Sequence, residues 1–119
     1  MILVDTAIWV DHLRAGDPDL IQALQRAAIL IHPFVIGELA LGTLRQRTLI
    51  LALLADLPRA AVATDAEVLG FIDRHGLAGR GIGYVDAHLL AATCLTADAR
   101  LWTRDRRLAE MATALGVAV

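Results

Sequence analysis

The chain has no lysine; all eleven of its cationic residues are arginines. This absence removes several chemistries at once. Walker-type phosphate loops, receiver domains and dehalogenase-like phosphatases normally need a lysine amine beside the phosphate. A single cysteine, Cys94, rules out an internal disulfide; it fits the cytoplasm and is expected to pack as a small hydrophobe. Aromatics are also few, two Trp, two Phe and one Tyr, and none alternates with basic residues as in platforms that stack single-stranded bases. No apolar run approaches the roughly 18 residues of a membrane span. The N-terminus lacks the basic region of a signal peptide, and Asp5 interrupts its first apolar run.

What is present is aliphatic. Of the 119 residues, 57% are hydrophobic, with a mean hydropathy of +0.59. The length suits one domain, residues 1–119. Its core must be built of Ala, Leu, Val and Ile, with apolar surface left for a subunit or partner. The net charge is −2; with four carboxylates set aside as a metal site it becomes +2. A modestly cationic body around an acidic pit suits nucleic acid held by metal ions and arginines.

Short apolar segments alternate with helical ones, the pattern of a parallel sheet with crossover helices. Met1–Val4 reads as a buried strand ending on Asp5-Thr6, and Ala7–Arg14 as a helix stopped by Gly16. Asp17-Pro18 starts a second helix to about Arg26. Ile29–Ile31 is expected as a strand, Val35 to about Leu44 as a helix, and Thr48–Leu57 as an apolar helix ended by Pro58. Ala61–Ala63 is expected as a strand, followed by a helix capped by Asp65 and running through Arg74. Gly79, Gly81 and Gly83 have the spacing of a phosphate cradle but follow no strand. Tyr84–Cys94 reads as a helix, Arg100–Thr103 as a fourth strand, Asp105–Leu115 as a helix and Val117–Val119 as a terminal strand.

Four acids stand where packing alone would not put them. Asp5 and Asp105 follow strands; Glu38 lies mid-helix in an apolar stretch; Asp86 opens an Ala-rich helix. An unpaired buried carboxylate costs several kcal/mol or stays protonated. Each therefore caps a helix, pairs with a cation, or joins the others around an ion. Ligands of open α/β sheets bind beyond the carboxyl ends of strands, and an all-oxygen set selects Mg²⁺ or Mn²⁺. Two such ions about 4 Å apart can activate water and stabilise the leaving oxygen of a phosphodiester.

The order Asp5-Thr6, Glu38-Leu39 with Gly42 one turn on, Asp86 in its Ala-rich helix, and Thr103-x-Asp105 resembles a PIN domain. Within that superfamily it is most similar to the VapC toxins of prokaryotic toxin–antitoxin pairs. The resemblance implies a three-layer α/β/α sandwich with a central parallel sheet in which the first and fourth strands are neighbours. It implies a cytoplasmic, Mg²⁺- or Mn²⁺-dependent endoribonuclease that cleaves structured RNA, a tRNA or rRNA loop, to a 5′-phosphate and a 3′-hydroxyl. It also implies a homodimer and a cognate antitoxin whose tail fills the site groove. Carried over, the catalytic and metal-holding set is Asp5, Glu38, Asp86 and Asp105, with Thr6 and Thr103 beside the ions.

Arg104, between Thr103 and Asp105, is the arginine best placed for an RNA phosphate; Arg45, Arg47 and Arg80 are weaker candidates. His32 is the histidine nearest the mouth, and His88 should face away from Asp86, about 200° round the helix. Asp98 reads as a turn residue and Asp11 as a solvated or Arg14-paired charge. Two alternatives remain: a catalytically silent PIN-like module acting through partner complexes, and a small phosphatase on the same acids. Pooled carboxylates argue against the first, the missing lysine against the second.

Overall fold

The computed structural model describes residues 1–119. Three short strands, β1 (Ile2–Val4), β2 (Ile29–Leu30) and β3 (Arg100–Trp102), form a parallel sheet in the order β2-β1-β3. Seven helices surround it: α1 (Thr6–Ala15), α2 (Pro18–Gln25), α3 (Pro33–Leu41), α4 (Arg47–Ala55), α5 (Asp65–Arg74), α6 (Tyr84–Leu95) and α7 (Arg106–Ala114). Helix α1 packs on α3 and α3 on α4, whereas α6 and α7 lie against β3 and each other. The architecture is the expected α/β/α arrangement. The strand expected fourth in the chain does lie beside the first, with Val4 in register with Trp102.

The sheet is central because its strands are apolar apart from the exposed Arg100 that opens β3. Leu3, Val4, Ile29, Leu30 and Leu101 are buried, and Ile8, Leu20, Leu39, Leu90 and Leu108 close over them from the helices. Local signals set most helix starts. Asp17 accepts the N–H groups of Asp19 and Leu20 ahead of Pro18, satisfying donors that a first turn leaves free. Thr64, rather than the expected Asp65, caps α5 in a reciprocal capping box with Glu67. Helix α3 begins two residues earlier than its apolar pattern indicates. There His32 Nδ1 accepts the Phe34 N–H at 3.0 Å and Pro33 occupies the first turn.

Two expected strands are absent. Ala61–Ala63 does not pair; a single bridge, Ile31 with Arg59, precedes it, and the Ala61 N–H goes to the Thr96 hydroxyl at 2.8 Å. At the C-terminus only Ala118 bridges Leu101. Both segments are too short to add a ladder; Thr96 takes an amide of the first, and Arg100 donates to the Gly116 and Ala118 carbonyls at the second. Cys94 lies exposed on α6, not packed inside as its type favours. Asp98 occupies a left-handed turn, with φ of 56°, as a turn residue should. No helix is long and apolar enough to cross a membrane.

Leu3 is wholly buried on the central strand. Leu3→Ala is expected to lower unfolding free energy by about 2–5 kcal/mol through the cavity it leaves, measured as a fall in the urea midpoint at unchanged slope.

Candidate active site

The parallel register of β1 and β3 delivers two loops to the same edge of the sheet. Asp5 follows Val4 directly, and the Asp5 N–H still bonds the Trp102 carbonyl at 2.9 Å. Asp5 caps α1, with Oδ1 accepting the Thr6 N–H at 2.7 Å. Its Oδ2 accepts the Thr103 hydroxyl at 2.7 Å. That hydroxyl in turn accepts the Asp105 N–H at 3.0 Å, and Asp105 Oδ1 caps α7 through the Leu108 N–H. On the other side, the Thr6 hydroxyl donates to Glu38 Oε1 at 2.7 Å, drawing α3 toward the strand end. Thr6 and Thr103 are thus built into the acid cluster: Thr6 joins the carboxylates of Asp5 and Glu38, and Thr103 joins the Asp5 carboxylate to the Asp105 amide.

Asp86 enters from the first turn of α6, whose N-cap is Gly83. Its carboxyl is raised from the ordinary range to about 6, chiefly by burial, then by the charges of Asp5, Asp105 and Glu38, against the opposing Gly83 amide. The charges of Asp5, Asp105 and Glu38 thus all reach Asp86. No cation is among the charges acting on Asp86. Helix-capping and hydrogen bonds hold Asp5, Glu38 and Asp105 in place but leave their mutual repulsion uncompensated. The donor set is all oxygen and unbalanced in charge, with Asp5 buried, Asp86 partly buried and Glu38 and Asp105 exposed, which fits a hard divalent cation. It is not a closed cage; no three acidic or histidine side chains stand at ion-holding spacing. Hydrogen-bonded carboxylate oxygens retain lone pairs for an ion.

Other expected site residues lie elsewhere. Arg104, the candidate for an RNA phosphate, is already engaged: Nη1 pairs with Asp11 and Nη2 with Asp17 Oδ2 at 2.8 Å. Its side chain crosses to the α1–α2 corner because two carboxylates there offer charge-assisted bonds. Asp11, expected to be solvated or Arg14-paired, is shared by Arg14 and Arg104. His32 does not reach the mouth. It is fully buried, and its imidazole is lowered to about 4 by burial, then by His88 and Arg59. His88 points away from the acids as expected, buried against Phe34 and Tyr84 with Nε2 3.4 Å from Asp65. The Arg104 partners were missed because they lie 87 and 93 residues away in sequence; the only local signal was Asp17 as a cap.

Beside Glu38, a groove of about 580 Å³ runs between α1, α3 and α4, lined by Val10, Leu13, Leu39 and Ile50 with Arg14 and Arg45.

A parallel sheet with four carboxylates converging beyond its strand ends is the arrangement of a PIN domain, and the chain belongs to that family, whose sequence profile matches residues 2–114. Over all 119 residues, and 96% of the relatives' length, it is 50% identical to proteins named Ribonuclease VapC32 in two strains of Mycobacterium tuberculosis. It is therefore a PIN domain of the VapC type.

The raised Asp86 carboxyl fixes the sign of a pH effect. An acid whose folded pKa lies above its unfolded value binds protons more readily when folded. Its ionisation therefore destabilises the fold progressively from about pH 4 to about 6, and fully above that. In metal-free buffer, Asp86→Asn is expected to raise the thermal midpoint at pH 7.5 by about 5 °C, from roughly 1 kcal/mol after allowing for solvent screening. The gain should shrink toward zero at pH 4.5. Scanning calorimetry at the two pH values tests this, and an equal gain at both would contradict it.

Proposed function

We propose that this protein is a metal-dependent endoribonuclease toxin whose four carboxylates hold Mg²⁺ or Mn²⁺ and hydrolyse a phosphodiester of structured cellular RNA. The observation carrying this reading is the convergence of Asp5, Glu38, Asp86 and Asp105, felt at Asp86 as a carboxyl raised to about 6. The ribonuclease names of its relatives support the substrate class. Asp5, Glu38, Asp86 and Asp105 would hold one or two ions, which when bound supply charge neutralisation and acidify water at the scissile phosphate.

The chain's own residues set the geometry. Asp5 is fixed from both sides, by the Thr6 amide and the Thr103 hydroxyl, so it is preorganised. Glu38 is aimed by the Thr6 hydroxyl. Asp86 has the raised affinity for a proton that suits a carboxylate drawing one from attacking water near neutral pH. In-line attack would leave a 5′-phosphate and a 3′-hydroxyl. In the cell such cleavage, of a tRNA or rRNA, would arrest translation.

Control would come from a cognate antitoxin. The groove between α1, α3 and α4 is apolar along its walls and reaches Glu38, so a segment lying in it could reach the acids. Leu41, Leu53, Leu69 and Leu95 are more than half exposed, apolar surface suited to a homodimer or to that partner. Action in the cytoplasm follows from this reading.

Asp5→Asn and Asp86→Asn are each expected to reduce Mg²⁺-dependent RNA cleavage by at least about a hundredfold while the circular dichroism spectrum is retained. Chelation should abolish wild-type cutting, and added Mg²⁺ or Mn²⁺ restore it. Sequencing of RNA ends after brief expression reads activity and target together. Undiminished cutting by either variant would reject the assignment.

A further inference from the structure

With Arg104 committed to Asp11 and Asp17, the acidic pocket lacks the cation assigned to the substrate strand. Phosphates approaching four pooled carboxylates need positive charge at the rim as well as within it. Several other arginines are occupied, whereas Arg45, in the groove beside Glu38, and Arg80 make no ion pair. Arg106 pairs with Glu110, Arg100 donates to the carbonyls of Gly116 and Ala118, and Arg47 donates to the Gly42 carbonyl.

Arg107 differs. It lies in the first turn of α7, two residues beyond the cap Asp105, and it is exposed. It takes part in none of the ion pairs. Its side chain lies flat over Gly81. A Cβ at that glycine would fall 2.3 Å from Nη1 and 2.9 Å from Cδ and Cζ of Arg107. A side chain at position 81 would displace the arginine from this seat. The same loop touches the acids two residues later, where a Cβ on Gly83 would lie 3.8 Å from Asp86 Oδ2. Two residues span at most about 7 Å. The guanidinium therefore lies against the loop that leads into α6 and Asp86, and it pairs with no protein carboxylate.

The geometry points to Arg107, seated on Gly81, as the residue that takes a backbone phosphate of the RNA strand entering the carboxylate pocket. This rests on the ribonuclease reading above and names a substrate contact for it. The guanidinium's forked donors match a phosphate's oxygens, and the contact is to the backbone, so it adds affinity without sequence preference. The alternate glycines 79, 81 and 83 do not wrap a phosphate themselves; the middle one makes space for the arginine that does.

The test uses the full chain and a fluorescently labelled RNA hairpin of mixed sequence, with Ca²⁺ in place of Mg²⁺ to limit cutting. Anisotropy is read across a salt series, alongside thermal midpoints. Arg107→Gln is expected to weaken binding by about tenfold and to reduce the dependence of log K on log salt by about 0.7–0.9, with the midpoint unchanged. Arg104→Gln should instead lower the midpoint and leave the salt slope as it was.

Glycine replacements separate the seat from backbone strain. Gly79 and Gly81 both have φ of 73°, but a Cβ at Gly79 meets nothing within 4 Å. Both alanine variants are strained; only Gly81→Ala should also lose RNA affinity, and combining it with Arg107→Gln should cause no further loss. Equal losses at the two glycines, or unaltered affinity and slope in Arg107→Gln while wild type binds, would overturn the assignment. A wild-type protein that neither binds the hairpin nor cuts it in Mg²⁺ would overturn the ribonuclease reading itself.

Discussion

Like charges brought to one end of a sheet repel, and the rest of this molecule is arranged around that repulsion. The parallel register of Val4 with Trp102 puts the Asp5 and Thr103 turns side by side, and α3 and α6 bring Glu38 and Asp86 to them. The fold itself offsets only part of the cost. Amides at the starts of α1 and α7 take Asp5 and Asp105, and two threonine hydroxyls each donate to a carboxylate on another element. At Asp86, burial and then the charges of the other three acids hold the carboxyl above its ordinary range.

Hydroxyls and arginines divide the remaining work by reach. Thr6 and Thr103 are short and fixed, so each can be positioned by the strand end on which it sits and can join two acids without losing much rotamer freedom. Arg104 is long and lies between two site residues, yet it turns outward to Asp11 and Asp17. In doing so it ties the β3–α7 turn, which carries Asp105, to the α1–α2 corner. Arg107, two residues from Asp105 on α7, has no such partner and lies on a glycine. Neighbouring arginines of the same type thus serve opposite ends, one anchoring the acid-bearing turn and the other left facing solvent at its rim.

Away from the pocket, two buried histidines hold the base of α3 and α6. His32 is neutral because it is wholly enclosed, and it uses Nδ1 to cap the helix that carries Glu38. His88 packs with Phe34 and Tyr84 on the face of α6 opposite to Asp86. Imidazoles here serve packing and capping, in keeping with the oxygen-only composition of the acid cluster.

Much of this was written locally in the chain. Apolar runs too short for helices, Asp17-Pro18, and Gly16 announced elements whose ends are governed by neighbours a few residues away. The four acids were legible because a carboxylate among aliphatic residues has few inexpensive explanations, and their order matched a known family. What the sequence could not supply was which side chains meet across the fold. Ala61–Ala63 had the composition of a strand but lost its amide to Thr96. Arg104 stood between two site residues yet found carboxylates 87 and 93 positions away. The space above Gly81 exists only because α7 packs where it does. Periodicity, caps and breakers act over one or two turns and so survive in one dimension; ion pairs, hydroxyl bridges and close approaches depend on distances that only the packed sheet and helices define.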